Sequence, residues 1–186
     1  MLIVFDFHGV LSLLSSDIIN LKNELRIFDE NNWYSAMKKS NISPFIMMPT
    51  LYDVISFIDN IKLSFCENHL LNFYQQNVYF GIASMGENNN FMIDMMQYCF
   101  ESQNRISPFN SKNVVGNYKN KTRYDKLPHI NIIFNNYLSN FIDIKNIILI
   151  DDSINIVKNM TSKGISCILV EKYFTIEDWN RGCYEL

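Results

Sequence analysis

Five short apolar segments recur along the chain, and each has the length of a strand in a covered sheet. They are residues 2–6, 78–83, 113–116, 147–151 and 165–170. An apolar run of about four to eight residues, bounded by glycine or polar positions, is typical of a strand that is buried on both faces. The pattern therefore predicts five strands in one buried sheet.

Between the predicted strands, the spacing of apolar residues changes to that of a helix with one buried face. The predicted helices are residues 51–58, 66–76, 91–101, 129–141 and 153–163. Pro49 and Thr50 favour a helix start before the first of them, and Gly164 favours an end after the last. Strands that alternate with helices predict an α/β fold, in which right-handed crossovers place helices on both faces of a parallel sheet.

Residues 12–48 depart from this alternation. An apolar stripe at helical spacing predicts at least one helix here, before the regular alternation begins. The stripe consists of Ile18, Leu21, Leu25 and Phe28. We interpret residues 12–48 as a small helical, cap-like insertion over the carboxyl end of the sheet, within a single domain that covers residues 1–186. The alternative is an ordinary crossover helix followed by a loop.

Composition and charge narrow the classes of function. The 186 residues are 48% hydrophobic and 19% charged, which is typical of a globular domain, and no apolar stretch approaches the roughly 18 to 20 residues of a membrane span. The net charge of −3 argues against a general nucleic-acid-binding surface. Because the first predicted strand begins at residue 2, we expect no signal peptide and an intracellular, cytoplasmic protein. The sequence predicts no particular oligomeric state.

Polar side chains stand where three of the predicted strands end. Asp6 closes the first strand, Ser84 follows the second, and Asp151 with Asp152 closes the fourth. In an open parallel sheet, ligands bind in the crevice beyond the carboxyl ends of the strands. We therefore expect these four side chains to meet in one crevice.

A cation and a phosphate group would both suit this crevice. Gathered carboxylates repel one another unless a cation lies among them, and hard oxygen ligands favour Mg²⁺. Lys126 precedes a predicted helix and supplies a second positive charge, while the backbone N–H groups of Met85 and Gly86 follow Ser84 and can face an anion. His129, one helical turn after Lys126, is expected to orient that lysine or to cap the helix, and His69 is expected to be structural.

The four segments, in this order, resemble the haloacid dehalogenase (HAD) superfamily. Asp6 to Leu11 is similar to its first motif, Ser84 to its second, Lys126 to its third, and the pair Asp151-Asp152 to its fourth. The magnesium-dependent phosphatase branch is resembled more narrowly by five segments: Lys126 to His129, Ile147 to Asp152, Asn155 to Val157, Gly164 to Val170, and the tail from Phe174 to Gly182.

The resemblance implies a fold and a reaction. The fold is a three-layer, Rossmann-like parallel sheet of about five strands in the order 5-4-1-2-3. The reaction begins with attack by Asp6 on phosphorus, and water then hydrolyses the aspartyl phosphate. Mg²⁺ would be held by an Asp6 oxygen, the His8 carbonyl and Asp152, with Asp151 a ligand directly or through water.

The remaining roles that the resemblance implies concern the phosphate group. Ser84, Met85 and Lys126 would bind its oxygens, and Ser84 and Lys126 would stabilise the charge that spreads over the transferring group. In the second motif, Met85 and Gly86 stand where the phosphatase branch usually has arginine and threonine.

The first motif departs from the family at its second acidic position, where His8 stands two residues after the nucleophile. The family's aspartate there protonates the leaving oxygen and later activates water, and such a group contributes about 10² to 10⁴ in rate. An imidazole, with a reference pKa of about 6.5, is a competent acid and base near neutrality. His8 is therefore the residue on which catalysis depends.

Three hypotheses follow. The first is a Mg²⁺-dependent phosphomonoester hydrolase that acts on a small phosphorylated substrate or a phosphoprotein, with Asp6 as nucleophile and His8 as acid and base. The second is a catalytically silent relative that binds a phosphorylated ligand or a protein partner, because the second aspartate and the arginine are both replaced. A dehalogenase-like activity is the weakest, because Lys126 and the two acids Asp151 and Asp152 suit phosphate and metal better.

Overall fold

Five parallel strands form the centre of the computed structural model, which describes residues 1–24, 32–67, 78–116, 124–137 and 144–182. The strands are β1 (Leu2–Phe5), β2 (Tyr79–Ala83), β3 (Val114–Val115), β4 (Ile147–Asp151) and β5 (Ser166–Leu169). They lie in the order β3-β2-β1-β4-β5, with every neighbouring pair parallel. Counted from the opposite edge this is the expected order 5-4-1-2-3, so the Rossmann-like α/β fold is confirmed.

Helices connect the strands. They are α1 (Ser15–Glu24), α2 (Trp33–Ser40), α3 (Pro44–Met47), α4 (Leu51–Glu67), α5 (Asn89–Glu101), α6 (Leu127–Tyr137), α7 (Ile154–Thr161) and α8 (Ile176–Arg181), with a short 3₁₀ helix at Ile144–Asn146. The predicted segment 51–58 continues without a break into α4, and most of the predicted segment 66–76 lies outside the described residues. None of the helices in the described part of the chain is long and apolar enough to cross a membrane.

The central strand β1 shows why the sheet is covered on both faces. All four of its residues are buried, and successive side chains point to opposite faces of a strand. Ile3 and Phe5 join the larger hydrophobic core, whereas Leu2 and Val4 join a smaller core on the other face. The continuous apolar run therefore contributes side chains to two cores, one under each layer of helices.

The segment 12–48 contains α1, α2 and α3 before the alternation begins at α4. Its stripe residues Ile18 and Leu21 are buried as expected, while Leu25 and Phe28 lie outside the described residues. The segment packs on α5, where the Trp33 and Phe91 rings meet edge to face with centroids 5.1 Å apart. Three helices thus occupy the segment where the alternative interpretation has one helix and a loop, and a cap-like role for them stays a prediction.

Candidate active site

Asp6 stands directly after the central strand. Its backbone N–H donates to the Ile150 carbonyl at 2.8 Å, which continues the pairing with β4, and its Oδ1 accepts the Phe7 N–H at 2.7 Å. The chain then turns at Gly9, which has a φ of +75°. The left-handed conformation favours glycine there, and a side chain at Gly9 would also displace the Asp152 carboxylate.

Lys126 is the cationic centre of the site. It is completely buried, and its Nζ lies 2.7 Å from Asp6 Oδ1 and 2.7 Å from Asp151 Oδ2. Burial alone would lower the pKa of the Lys126 ammonium group, but Asp151 and Asp6 together outweigh it and raise that pKa above its usual value. The lysine is therefore a permanent positive charge between two strand ends.

The two aspartates after β4 differ in their surroundings. Asp151 is completely buried, and its Oδ1 accepts the Ser153 N–H at 2.8 Å. Burial raises the pKa of Asp151, Lys126 opposes that rise, and Asp6 adds to it. Asp152 is half-buried, and burial followed by the charge of Asp6 raises its pKa as well. Burial thus disfavours the anionic form of both carboxyl groups, for Asp151 even with Lys126 beside it.

The donor set of this cluster suits Mg²⁺. One carboxylate oxygen from each of Asp6, Asp151 and Asp152 lies within 4.8 Å of the other two. Asp151 already uses one oxygen for Lys126 and the other for the Ser153 N–H, and Asp6 uses Oδ1 for Lys126 and the Phe7 N–H. Among the residues that the structure describes, neither Asp6 Oδ2 nor the Asp152 carboxylate forms an ion pair with a lysine, so these oxygens could serve a divalent cation such as Mg²⁺, which takes one or two carboxylates with several waters.

Ser84 and Met85 directly follow β2, the strand that pairs with β1. Ser84 is buried, and its backbone N–H donates to the Val115 carbonyl at 2.9 Å, so the residue still belongs to the sheet. Met85 is partly buried and its side chain packs against the smaller core. Any contact of Met85 with a phosphate group would therefore come from its backbone.

His129 is buried on α6 and interacts with the backbone of Ser84. Burial, reinforced by the Lys126 charge, lowers the pKa of His129 to about 4, so the ring is neutral near physiological pH. Lys126 is held by Asp6 and Asp151 in the ion pairs described above, and His129 joins α6 to the end of β2. His69 lies outside the described residues.

The His8 ring faces the start of the 12–48 segment and the loop after β2. Its Nδ1 lies 3.3 Å from the Leu13 carbonyl and 3.4 Å from Ser12 Oγ, and its Nε2 lies 3.4 Å from Glu87 Oε2. None of its hydrogen bonds or ion pairs within the described residues involves Asp6. The structure thus brings His8 to the edge of the crevice while its ring is held by other groups.

Glu87 and Lys22 are polar neighbours of the site that the sequence patterns did not indicate. Both carboxylate oxygens of Glu87 accept from Lys22 Nζ, at 2.8 and 2.9 Å, and one of them also accepts the Asn88 N–H. Burial would raise the pKa of Glu87, but hydrogen bonds from His8, Lys22 and the backbone outweigh it and lower that pKa. The available signal was an acidic residue three positions after Ser84, in the loop at the carboxyl end of β2.

Comparison of the chain with models of known protein families gives no match. A search of curated proteins also gives no match. A functional assignment therefore depends on the residues and geometry of the crevice, and the likeness to the HAD superfamily stays a proposal.

Proposed function

We propose that this protein is a HAD-type phosphatase, a Mg²⁺-dependent hydrolase of phosphomonoesters with Asp6 as its nucleophile. The observation that supports it is the shared lysine. A completely buried Lys126 lies 2.7 Å from both Asp6 and Asp151, at the carboxyl ends of adjacent strands, with Asp152 in the same cluster. Because a buried charge is costly, a lysine buried between two acids with a third acid nearby favours a functional site, and a phosphate site needs both signs of charge.

Asp6 carries the covalent chemistry in this proposal. Its carboxylate attacks phosphorus, a new oxygen–phosphorus bond forms, and the bond to the leaving oxygen breaks as that oxygen takes a proton. Water then attacks the aspartyl phosphate, releasing phosphate and restoring Asp6. The two steps replace one difficult displacement.

The other residues of the site bind the phosphate group and the metal, and they stabilise the negative charge of the transferring group. Lys126 holds Asp6 in place through Oδ1 and stabilises negative charge on the transferring group. Ser84 and the Met85 backbone bind phosphate oxygens, and His8 gives and takes the proton. Asp6, Asp152 and the His8 carbonyl would hold Mg²⁺, with Asp151 beside them; when bound, the ion neutralises charge on the substrate phosphate.

The first test measures dependence on the metal. We expect the purified protein to hydrolyse an aryl phosphate when Mg²⁺ is present, because Mg²⁺ offsets the charge of three carboxylates and of the phosphate. Chelation should lower the rate by at least about 100-fold, and added Mg²⁺ should restore it. The assay is continuous release of the phenol, with a phosphopeptide as a second substrate. Hydrolysis that is unaffected by chelation would contradict the metal-dependent mechanism.

A silent binding protein is the second candidate, and the orientation of His8 favours it. The ring contacts Ser12, Leu13 and Glu87, and within the described residues it makes no hydrogen bond or ion pair with Asp6. In this case the crevice binds a phosphorylated ligand or a protein partner without turning it over.

Substitutions of His8 separate the two candidates. If His8 is the acid and base, wild type is active and His8→Asn lowers kcat by about 10² to 10⁴, because no group then protonates the leaving oxygen. If the protein is silent, wild type is inert and His8→Asp gains activity. The measurement is aryl phosphate hydrolysis by the three proteins side by side. An active wild type rules out the silent protein, and activity gained only in His8→Asp rules out the present-day hydrolase.

A further inference from the structure

Glu87 is a buried acid that the proposed reaction does not use. It is 7% exposed and lies between a lysine from α1 and the histidine of the first motif. Four contacts converge on its two oxygens: two from Lys22 Nζ, one from the Asn88 N–H and one from His8 Nε2. A buried carboxylate with this many partners has a defined orientation, because any rotation would break several of them.

We propose that Glu87 is a positioning residue for His8. An ionised carboxylate only accepts hydrogen bonds, so the nitrogen that faces it, Nε2, carries a hydrogen. The second ring nitrogen, Nδ1, then faces one acceptor and one hydroxyl, the Leu13 carbonyl and Ser12 Oγ. Glu87 thereby keeps a hydrogen on Nε2 and sets the direction of the ring, as a carboxylate partner does for histidines in other sites.

Lys22 extends this arrangement into the 12–48 segment. Its Nζ is 2.8 Å from Glu87 Oε1 and 3.8 Å from the centre of the Phe91 ring, so the ammonium group is held from two sides. The lysine neutralises Glu87 and keeps the carboxylate in place for His8. Helix α1 is therefore tied to the first motif through one ion pair and one imidazole.

The kinetic consequence rests on the proposed function. In metal sites, a carboxylate that holds a functional histidine contributes about 10- to 100-fold, and we expect Glu87→Gln to lower kcat by a similar factor. KM should change less than about twofold, because Glu87 makes no contact with substrate in this proposal. In a His8→Asn background the same substitution should have no further effect on kcat. If Glu87→Gln lowers kcat by the same factor in both backgrounds, Glu87 affects activity through the folded structure and not through His8.

Lys22→Met is the second variant, with Lys163→Met as its matched control. Lys163 pairs with Asp125 at 2.7 Å, and its side chain is 31% exposed against 22% for Lys22. We expect Lys22→Met to lower kcat, as Glu87→Gln does, and Lys163→Met to leave kcat unchanged. Thermal unfolding of each variant shows whether a loss of kcat is caused by lower stability of the folded protein. A loss that is equal in the two lysine variants would contradict the proposal.

The state of the ring is measured independently of activity. The chain has three histidines, so the ring nitrogens of His8 are assigned in ¹⁵N NMR spectra by comparison with His8→Asn. We expect His8 in wild type to carry a hydrogen on Nε2, and Glu87→Gln to reduce this population. A wild-type ring with hydrogen on Nδ1 and a bare Nε2 overturns the proposal.

The two measurements separate failure of this inference from failure of the proposed function. An inert wild type whose His8 ring is nevertheless held through Nε2, and released in Glu87→Gln, contradicts the hydrolase and supports the positioning by Glu87. An active wild type whose ring is insensitive to Glu87→Gln supports the hydrolase and contradicts the positioning.

Discussion

Asp6→Asn is expected to abolish hydrolysis, with a loss of kcat of at least about 1,000-fold. An amide oxygen is a poor nucleophile, so the aspartyl phosphate cannot form. The fold should persist, because the amide oxygen of the introduced asparagine can accept from the same two donors, the Phe7 N–H and Lys126 Nζ. The measurement is aryl phosphate hydrolysis with Mg²⁺, together with thermal unfolding to show that the variant is folded.

Asp59→Asn is the matched control for this prediction. Asp59 lies on α4 and pairs with Arg105 at 2.7 Å, with a side chain that is 38% exposed. The same change of carboxylate to amide there should leave kcat unaltered. Hydrolysis that survives in Asp6→Asn at the wild-type level would exclude Asp6 as nucleophile, whatever the role of the metal.

Lys126→Met is expected to cause the largest loss of stability among single substitutions at the site. The change leaves Asp6 and Asp151 facing each other without the ammonium group that lies 2.7 Å from both. Removing one partner from a buried ion pair typically costs about 3–5 kcal/mol in the free energy of unfolding. We also expect kcat to fall by about 10² to 10³, because charge on the transferring group loses its cation. Urea denaturation measures the first effect and the hydrolysis assay the second.

Lys163→Met serves as the control because its ion pair has the same length at a partly exposed position. Exposed pairs contribute about 0–1 kcal/mol, so the two lysine substitutions should differ several-fold in their effect on unfolding. An equal effect would show that Lys126 is not the cation on which the site depends.

The stability loss in Lys126→Met should also depend on pH. Burial already raises the pKa of Asp151 in the folded protein, and removing Lys126, which opposes that rise, raises it further. A carboxyl group whose folded pKa lies above its unfolded value lowers stability above the folded pKa, and this cost disappears as the pH falls below the unfolded value. The difference between Lys126→Met and wild type should therefore shrink from neutral to acidic pH.

The central sheet was predictable because its strands are continuous apolar runs. The segment 147–151 forms β4 with the predicted bounds, and 2–6 differs from β1 only at Asp6, which leaves the strand as its side chain enters the site. Gly9 marks the turn after it. These features are local, because burial on both faces demands apolar residues in sequence and a left-handed turn favours glycine.

The site was predictable in part for the same reason. The carboxyl ends of parallel strands share one edge, so the positions of Asp6 and Asp151 in the sequence already imply that they are neighbours. Their common contact with Lys126 at 2.7 Å agrees with that expectation. The sequence did not indicate that one Asp151 oxygen would pair with Lys126 and the other would accept the Ser153 N–H.

The surroundings of His8 were not predictable from its neighbours in the chain. Its Nε2 faces Glu87, and Glu87 is held by Lys22, which is 65 residues away in sequence. No periodicity or spacing encodes a contact of that separation, because it forms only when α1 and the loop after β2 pack together.

The order of residues along the chain is enough to establish the class of fold and the strand ends at which the acids stand, since each of these follows from local burial and from the geometry of a parallel sheet; Lys126, which precedes α6, was expected at the site only through the resemblance. Two features of the site depend instead on the packed molecule: which carboxylate faces the lysine, and where the His8 imidazole points. The direction of a side chain depends on partners that the rest of the chain brings to it, and for His8 those partners are Glu87, Ser12 and Leu13.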